Sequence, residues 1–431
     1  MCLLCFLGDL EQYKLRKSCQ FKTDRLEHTL DKYKIAFVNE FFKSNDKLCK
    51  IHNTEHNIEI LKIIKQISKS EISNFFDTII HSYLDWINAK ANTSITNLKN
   101  ELKKFKILEY KNIENIILFR GRDSKDFLSH WDMFHIPFNK RYLIGNQRYS
   151  LVGQPLLYLA ATPYCVAQEL NFPKDLKISS FRFKDIPNFR FYNNTNELVK
   201  LYKNTTSEES LQDSVQDFLP PKIDELDIKR RFFKSILSSC CSFETNSSLK
   251  NFSFKEEYII PQILAQLLKE DGCDGIIYMS TKAYNDKNII DIYDTNAELI
   301  YTNYCFFTKY NYEDSHDINK VYDKELFNKF HISATIDYKE VFEEYYYDLL
   351  DTIELLLKLL DYNNEYINSL NDSFFKTIYL YFFELKDKMS TKDEHFKHAI
   401  HLQHVYLKNI ILTEYNKFIF EEAFNNEHNK N

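Results

Sequence analysis

Residues 148–170 read RYSLVGQPLLYLAATPYCVAQEL, and the order of their parts decides the fold class. The apolar run PLLYLAA has the length and boundaries of a short strand, with Pro155 before it and Pro163 after it. Pro163 then stands in the first turn of a helix, where its missing N–H would be unpaired anyway. A strand thus passes straight into a helix. Three residues able to do chemistry punctuate this passage at intervals of ten and eleven: Arg148, Tyr158 and Glu169.

Working outward, the residues that mark turns map the rest of the chain. All eight prolines lie between Pro137 and Pro261, five of six glycines between Gly121 and Gly275, and eight of ten arginines between Arg120 and Arg231. Glycine and proline are costly inside helices and favoured at turns and strand ends. Residues 116–308 are therefore expected to form a turn-rich α+β domain. The runs IILFRGR, PLLYLAA, ISSFRFKDI, CDGIIYMST and AELIYTNYCFF read as its strands, and EEYIIPQILAQLLKEDG as a helix closing near Gly272. No regular βαβ rhythm appears, so a doubly wound sheet is disfavoured. On either side, residues 1–115 and 309–431 space apolar residues three and four apart, the pattern of all-α flanks.

Composition excludes several functional classes. The 431 residues are 44% hydrophobic, 16% aromatic and 27% charged, enough for a sizeable core in a globular protein. A net charge of -6 provides no general attraction to nucleic acid or anionic membranes, so any anionic ligand must meet local cations. No apolar run reaches the ~18–20 residues a membrane helix needs, and the opening MCLLCFLGDLEQYKL lacks a basic n-region and a cleavage site. The protein is read as cytoplasmic, which leaves the sequons at Asn92, Asn204, Asn246 and Asn251 without meaning. Nine scattered cysteines fit a reducing compartment. Cys2 and Cys5 form a CxxC with Cys19 further on, but a zinc site wants a fourth ligand and none stands at a convincing spacing. The expectation is a loose terminal cysteine cluster and no metal.

Common catalytic motifs are missing: no GxGxxG after a strand, no P-loop, no GxSxG and no HExxH. Three residues and their surroundings remain. An arginine fork at Arg148 suits a diphosphate bidentately, with a surface salt bridge as the plainer alternative. Tyr158 can stack on a planar ring or serve as ordinary core. Glu169 can point into the same cleft or lie on a solvated helix face. Elsewhere, His395, His398, His401 and His404 recur every third residue, but the row drifts around a helix axis and no carboxylate completes a metal site. Arg230 and Arg231 read as a solvated helix face, and DGCDG (271–275) matches no calcium loop.

Taken together, the chain resembles the RES domain family, which has an ADP-ribosyltransferase-like fold and consumes NAD. The resemblance is carried by Arg120 in LFRGR, Arg148 in QRYS, Tyr158 in LYLAA and Glu169 in AQEL, with the family's later serine falling on Ser280 in DGIIYMST. FHIPFNKRYLIGNQRYSLVGQPLLYLA looks like the longer members, although their Gly-Gly-Arg-Trp-Asn turn is replaced here by Asn146, Gln147, Arg148, Tyr149 and Ser150. The likeness covers residues 117–307 and leaves the flanks unexplained. It implies cleavage of the nicotinamide–ribose bond by water or phosphate, with NAD as substrate and no metal. Arg148, Tyr158 and Glu169 would be catalytic; Arg120, Arg148, Tyr158 and Ser280 would bind the dinucleotide. It further implies an NAD-depleting toxin restrained by an antitoxin or regulatory protein. The flanks are read as regulatory or as surfaces for homo-oligomer assembly, and neither membrane nor nucleic acid is expected as a partner. Transfer of ADP-ribose to a macromolecule, and a non-catalytic nucleotide-binding interaction protein, are the alternatives.

Overall fold

Helical spacing of apolar residues winds the first part of the chain into α1 (Leu3–Phe6), α2 (Asp9–Cys19), α3 (Leu26–Lys43), α4 (Glu55–Lys65), α5 (Lys69–Ile87) and α6 (Ala91–Lys104). A computed structural model describes residues 1–21, 24–44, 47–113, 115–203, 224–245, 254–283, 301–311 and 321–337. The helical rows expected beyond them, including His395 to His404, lie outside the described residues. Residues 57–90 read as one amphipathic run, yet they divide into α4 and α5 at Ser68. The cause is a capping box: Ser68 Oγ accepts the Glu71 N–H at 3.2 Å, and Glu71 Oε2 accepts the Ser68 N–H at 2.9 Å. Local side-chain bonds here outbid continuation of the helix.

The strands are β1 (Tyr110–Asn112), β2 (Ile117–Asp123), β3 (Leu156–Ala160), β4 (Leu176–Phe183), β5 (Arg190–Asn193), β6 (Gly275–Met279), β7 (Thr302–Phe307), β8 (Phe330–Ile332) and β9 (Ile336–Asp337). They form one sheet in the order β1-β5-β6-β7-β3-β2-β4-β8, with β9 also on β4. Among the described residues only β5 and β6 pair in parallel; the other ladders are antiparallel. Around the sheet lie α7 (His130–Met133), α8 (Pro163–Glu169), α9 (Glu197–Lys203), α10 (Glu225–Cys240), α11 (Ile259–Glu270) and α12 (Lys324–Phe327). The class is α+β, as the irregular mixture of strands and helices implies. The sheet is wider than residues 116–308, however, since β1 joins it before that span and β8 and β9 after it.

Alternation along β3 shows how the sheet is clad. Leu157 and Leu159 point into a buried cluster with Leu118, Phe181 and Phe306. Leu156 points the other way, into a larger cluster that runs from Leu3 through Phe76, Phe232 and Leu264 to Phe307, and Tyr158 packs against it. The N-terminal helices therefore share one core with the sheet and form its helical cover. Each fully buried aromatic in that cluster, such as Phe75 or Phe232, contributes on the order of 2–3 kcal/mol.

Candidate active site

The strand-to-helix passage of residues 156–169 forms one wall of a cavity of about 590 Å³, within the range of ligand pockets. Arg120, Arg148, Tyr158 and Glu169 all line it, although 49 residues separate the first from the last in sequence. Tyr158 reaches it because β3 alternates: its neighbours Leu157 and Leu159 are buried on the other face. Thr162 caps α8, its hydroxyl accepting the Cys165 N–H at 3.1 Å, and the short helix ends on Glu169. Helix α8 can lie tight on β2 because residue 121 is glycine. A Cβ there would meet Val166 Cγ1 at 2.5 Å and Leu176 Cδ1 at 2.8 Å.

The cationic side of the cavity is built from arginines that, among the described residues, bond only to neutral oxygens. Arg120 Nη1 donates to the Tyr158 carbonyl at 3.0 Å, while its buried Nε has no partner. Arg122 donates to the carbonyls of Asp132 and Phe134 at 2.5 and 3.1 Å. Arg148 donates to the carbonyls of Cys241 and Phe243 at 2.8 and 3.1 Å and to Thr281 Oγ1 at 3.2 Å, and its guanidinium sits 4.9 Å from the Tyr258 ring. Among the described residues none of the three makes a salt bridge. Burial, and then the neighbouring Arg122 charge, pull the Arg120 pKa well below its ordinary value. A desolvated cation without a counter-ion is costly, and an anionic ligand would relieve that cost. Arg230 and Arg231 behave otherwise: both are committed to Asp227, and Arg230 also to Glu109. They are partly buried in ion pairs, not the solvated face their spacing implied.

Glu169 faces the arginines' cavity. Its Oε1 accepts from Asn303 Nδ2 at 2.9 Å, and Asn303 is buried on β7 in register with Ala160 and Tyr278. Lys282 Nζ donates to the carbonyls of Gln168 and Glu169 at 3.0 and 2.6 Å, a cation where the C-terminus of α8 favours one. Burial pushes the Tyr158 phenol well above its ordinary pKa; its oxygen accepts the Tyr149 N–H at 3.3 Å.

Ser280 is not brought to this cavity. It is 1% exposed, its Oγ accepts the Lys282 N–H at 3.2 Å, and it borders a separate small crevice. Strand alternation would place Tyr278 and Ser280 on one side, but β6 ends at Met279 and the chain turns. Tyr278, Thr281 and Lys282 line the cavity instead. Asn303 and Gln262 carried no motif in the sequence. Gln262, 3% exposed on α11, donates to the carbonyls of Gln147 and Ser150 at 2.8 and 2.9 Å and to Asn146 Oδ1. It thereby holds the turn that carries Arg148.

His135 supports the arginine wall from behind. Its Nε2 accepts the Asp323 N–H at 3.0 Å and its Nδ1 lies 2.8 Å from the Ile136 carbonyl, the bonding of a neutral ring protonated on Nδ1. Burial, reinforced by Arg120 and Arg122, depresses its pKa to about 4. The unfolded chain takes up this proton first, near the ordinary histidine value of 6.5, so the contribution to stability is whole above that pH and is lost as pH falls toward 4. Between pH 7 and 4.5 the wild type should lose about 2–3 kcal/mol more in urea unfolding than His135→Gln. Equal losses would show that His135 does not set the acid sensitivity.

No family model matches the chain, and no solved structure matches it. Over 277 residues it is 27% identical to a Bacillus subtilis (strain 168) protein titled "Putative toxin YopC". The match takes in 60% of this chain and 57% of that protein, so the chain spans little more than half the relative's length. Among the described residues no helix is long and apolar enough to cross a membrane.

Proposed function

We propose that the protein cleaves the nicotinamide–ribose bond of NAD, passing the ADP-ribose unit to water or inorganic phosphate, and that it acts as an NAD-depleting toxin. One observation carries the reading: three arginines that have no carboxylate partner among the described residues line one cavity with Glu169, and the cavity is of dinucleotide-compatible size. The cations suit a diphosphate, and the carboxylate suits the positive charge that a ribose develops as a cationic leaving group departs. The similarity to a protein titled a toxin supports the physiological half, as does the RES resemblance, with an ADP-ribosyltransferase-like fold and an antitoxin as the expected restraint.

In this reading Arg120, with its unpartnered Nε, and Arg148 hold the diphosphate. The Tyr158 ring gives the nicotinamide or its ribose a flat apolar wall. Glu169, held by Asn303, hydrogen-bonds the ribose hydroxyls and stabilises the oxocarbenium-like ribose. The C–N bond electrons leave with nicotinamide as a neutral ring, so no acid is needed. Water then forms the new C–O bond and releases one proton, giving ADP-ribose; phosphate gives the ADP-ribosyl phosphate. Ser280, away from the cavity, has no part in this scheme.

Incubating the purified chain with NAD and resolving products in water and in phosphate buffer tests the proposal. Nicotinamide release is expected, and the second product names the acceptor. NAD left intact at stoichiometric protein, in both buffers and in cell extract, overturns it.

Asn303 gives a separate test. Asn303→Asp conserves shape but replaces the amide donor 2.9 Å from Glu169 with an acceptor of like charge, so the carboxylate loses the bond that holds it toward the cavity. Turnover should fall about tenfold with KM for NAD within a few-fold, while Asn303→Ser, which keeps a donor, should lose less. Unchanged turnover in Asn303→Asp would remove Asn303 as the group that positions Glu169.

A further inference from the structure

The first residues of the chain meet a loop nearly fifty residues away in an arrangement the sequence did not reveal. Cys2, Cys5, Cys49 and His52 bring three sulfurs and one ring nitrogen within 4.8 Å of one another. Cys5 Sγ lies 3.3 Å from Cys2 Sγ and 3.6 Å from Cys49 Sγ. His52 Nδ1 lies 3.5, 3.5 and 3.4 Å from the sulfurs of Cys2, Cys5 and Cys49. A tetrahedral zinc with Zn–S of about 2.3 Å and Zn–N of about 2.0–2.1 Å needs edges of about 3.8 Å between sulfurs and about 3.5 Å from sulfur to nitrogen. The three sulfur–nitrogen edges match those values, and the two sulfur–sulfur edges, 3.6 and 3.3 Å, are shorter.

Each half of the set is a preformed turn. Cys2 caps α1, and its sulfur accepts the Cys5 N–H at 3.4 Å, which directs both sulfurs to one side and satisfies a thiolate. The His52 N–H donates to the Cys49 carbonyl at 3.0 Å, and this one-turn reversal aims Cys49 and His52 back at the first pair. The His52 ring stands edge-on to Tyr202 at 5.2 Å, which holds its orientation. Cys19, expected as the third member, lies apart with its sulfur 3.9 Å from Ser18 Oγ. The missing fourth ligand was therefore present as a second half-motif, Cys49-x-x-His52, matching the CxxC at a distance of 43 residues.

We propose that Cys2, Cys5, Cys49 and His52 bind one structural zinc ion. All four positions are filled by protein, and Cys2 and His52 are buried, which leaves no coordination place for a substrate. The ion staples α1 and the loop before α4 to the helical cover. From there α2 reaches the rim of the cavity, where Tyr13 OH donates to Glu244 Oε1 at 3.1 Å and Gln20 Nε2 to the Glu244 carbonyl at 2.6 Å. The assignment stands on the geometry of the helical layer and is independent of the NAD reading.

The full-length chain, purified under reducing conditions without added metal, should contain one zinc per chain by elemental analysis. Replacement by cobalt should give the intense visible bands of a tetrahedral, sulfur-rich site. A strong chelator should lower Tm by at least about 5 °C. Cys49→Ser and His52→Ala should each lose the metal, while Cys19→Ser retains it. Zinc below about a tenth per chain with no cobalt bands, a Cys2–Cys5 disulfide in its place, or full zinc in Cys49→Ser overturns the proposal. Since the wild-type metal content and cobalt spectrum require no variant to fold, the test survives a misfolded mutant.

Discussion

Glu169→Gln should lower nicotinamide release by about 10²–10³-fold while leaving NAD affinity within a few-fold. The substitution conserves volume and an acceptor for the Asn303 amide, which bonds Glu169 Oε1 at 2.9 Å, so the local packing has no reason to change. What it removes is a full negative charge facing the ribose carbon as that carbon becomes cationic. Ground-state NAD carries little charge on the ribose and would hardly register the loss. The interaction grows toward the transition state, and only such interactions accelerate the chemical step. One preorganised electrostatic contact in a water-poor site is worth about 3–4 kcal/mol, the source of the expected factor. Single-turnover release of nicotinamide beside equilibrium binding of NAD separates the two effects. A variant with unchanged turnover would mean that Glu169 only frames the cavity, and a variant that loses binding and turnover equally would place it in ground-state recognition.

Arg120→Met should move two measurements in opposite directions. Turnover at low NAD should fall about 10–100-fold, the loss of a charge-assisted hydrogen bond worth about 1.5–3 kcal/mol. Thermal stability should hold or rise. In the wild type this guanidinium is desolvated beside Arg122 and leaves Nε unpaired. An apolar side chain of similar length removes that cost, and it gives up only the 3.0 Å bond to the Tyr158 carbonyl. A site that holds uncompensated charge for a ligand trades stability for binding. The same concentration of NAD should raise the Tm of the wild type more than that of the variant, because the ligand binds more tightly to the chain that retains its cation. A lower Tm in the variant without NAD would make Arg120 a structural residue.

The local elements were legible because they are written in short-range chemistry. Strand β3, its turn at Pro163 and the helix ending on Glu169 follow from one apolar run and two prolines. Helix α11 likewise closes at Glu270 before Gly272, whose φ of +74° suits glycine. The break at Ser68 was equally local, but the apolar periodicity on both sides masked it. Strands β1 and β5 escaped notice since three or four residues hold too little pattern, and their partners are distant in sequence.

What the sequence determined by itself was the α+β class, the central strands of the sheet, and four of the residues that line the cavity. These depend on composition, spacing and the geometry of adjacent residues. Only the tertiary structure decided which charges lack partners, because an arginine is isolated or paired according to what folds against it. Arg120 and Arg230 look alike in sequence; one faces a cavity and the other a pair of carboxylates. The same holds for Asn303 behind Glu169, for Ser280 turned away from the cavity, and for Cys49 and His52 returning to Cys2 and Cys5. Each depends on contacts between segments tens of residues or more apart. Such contacts are set by packing of the whole core, which no local pattern of residues encodes.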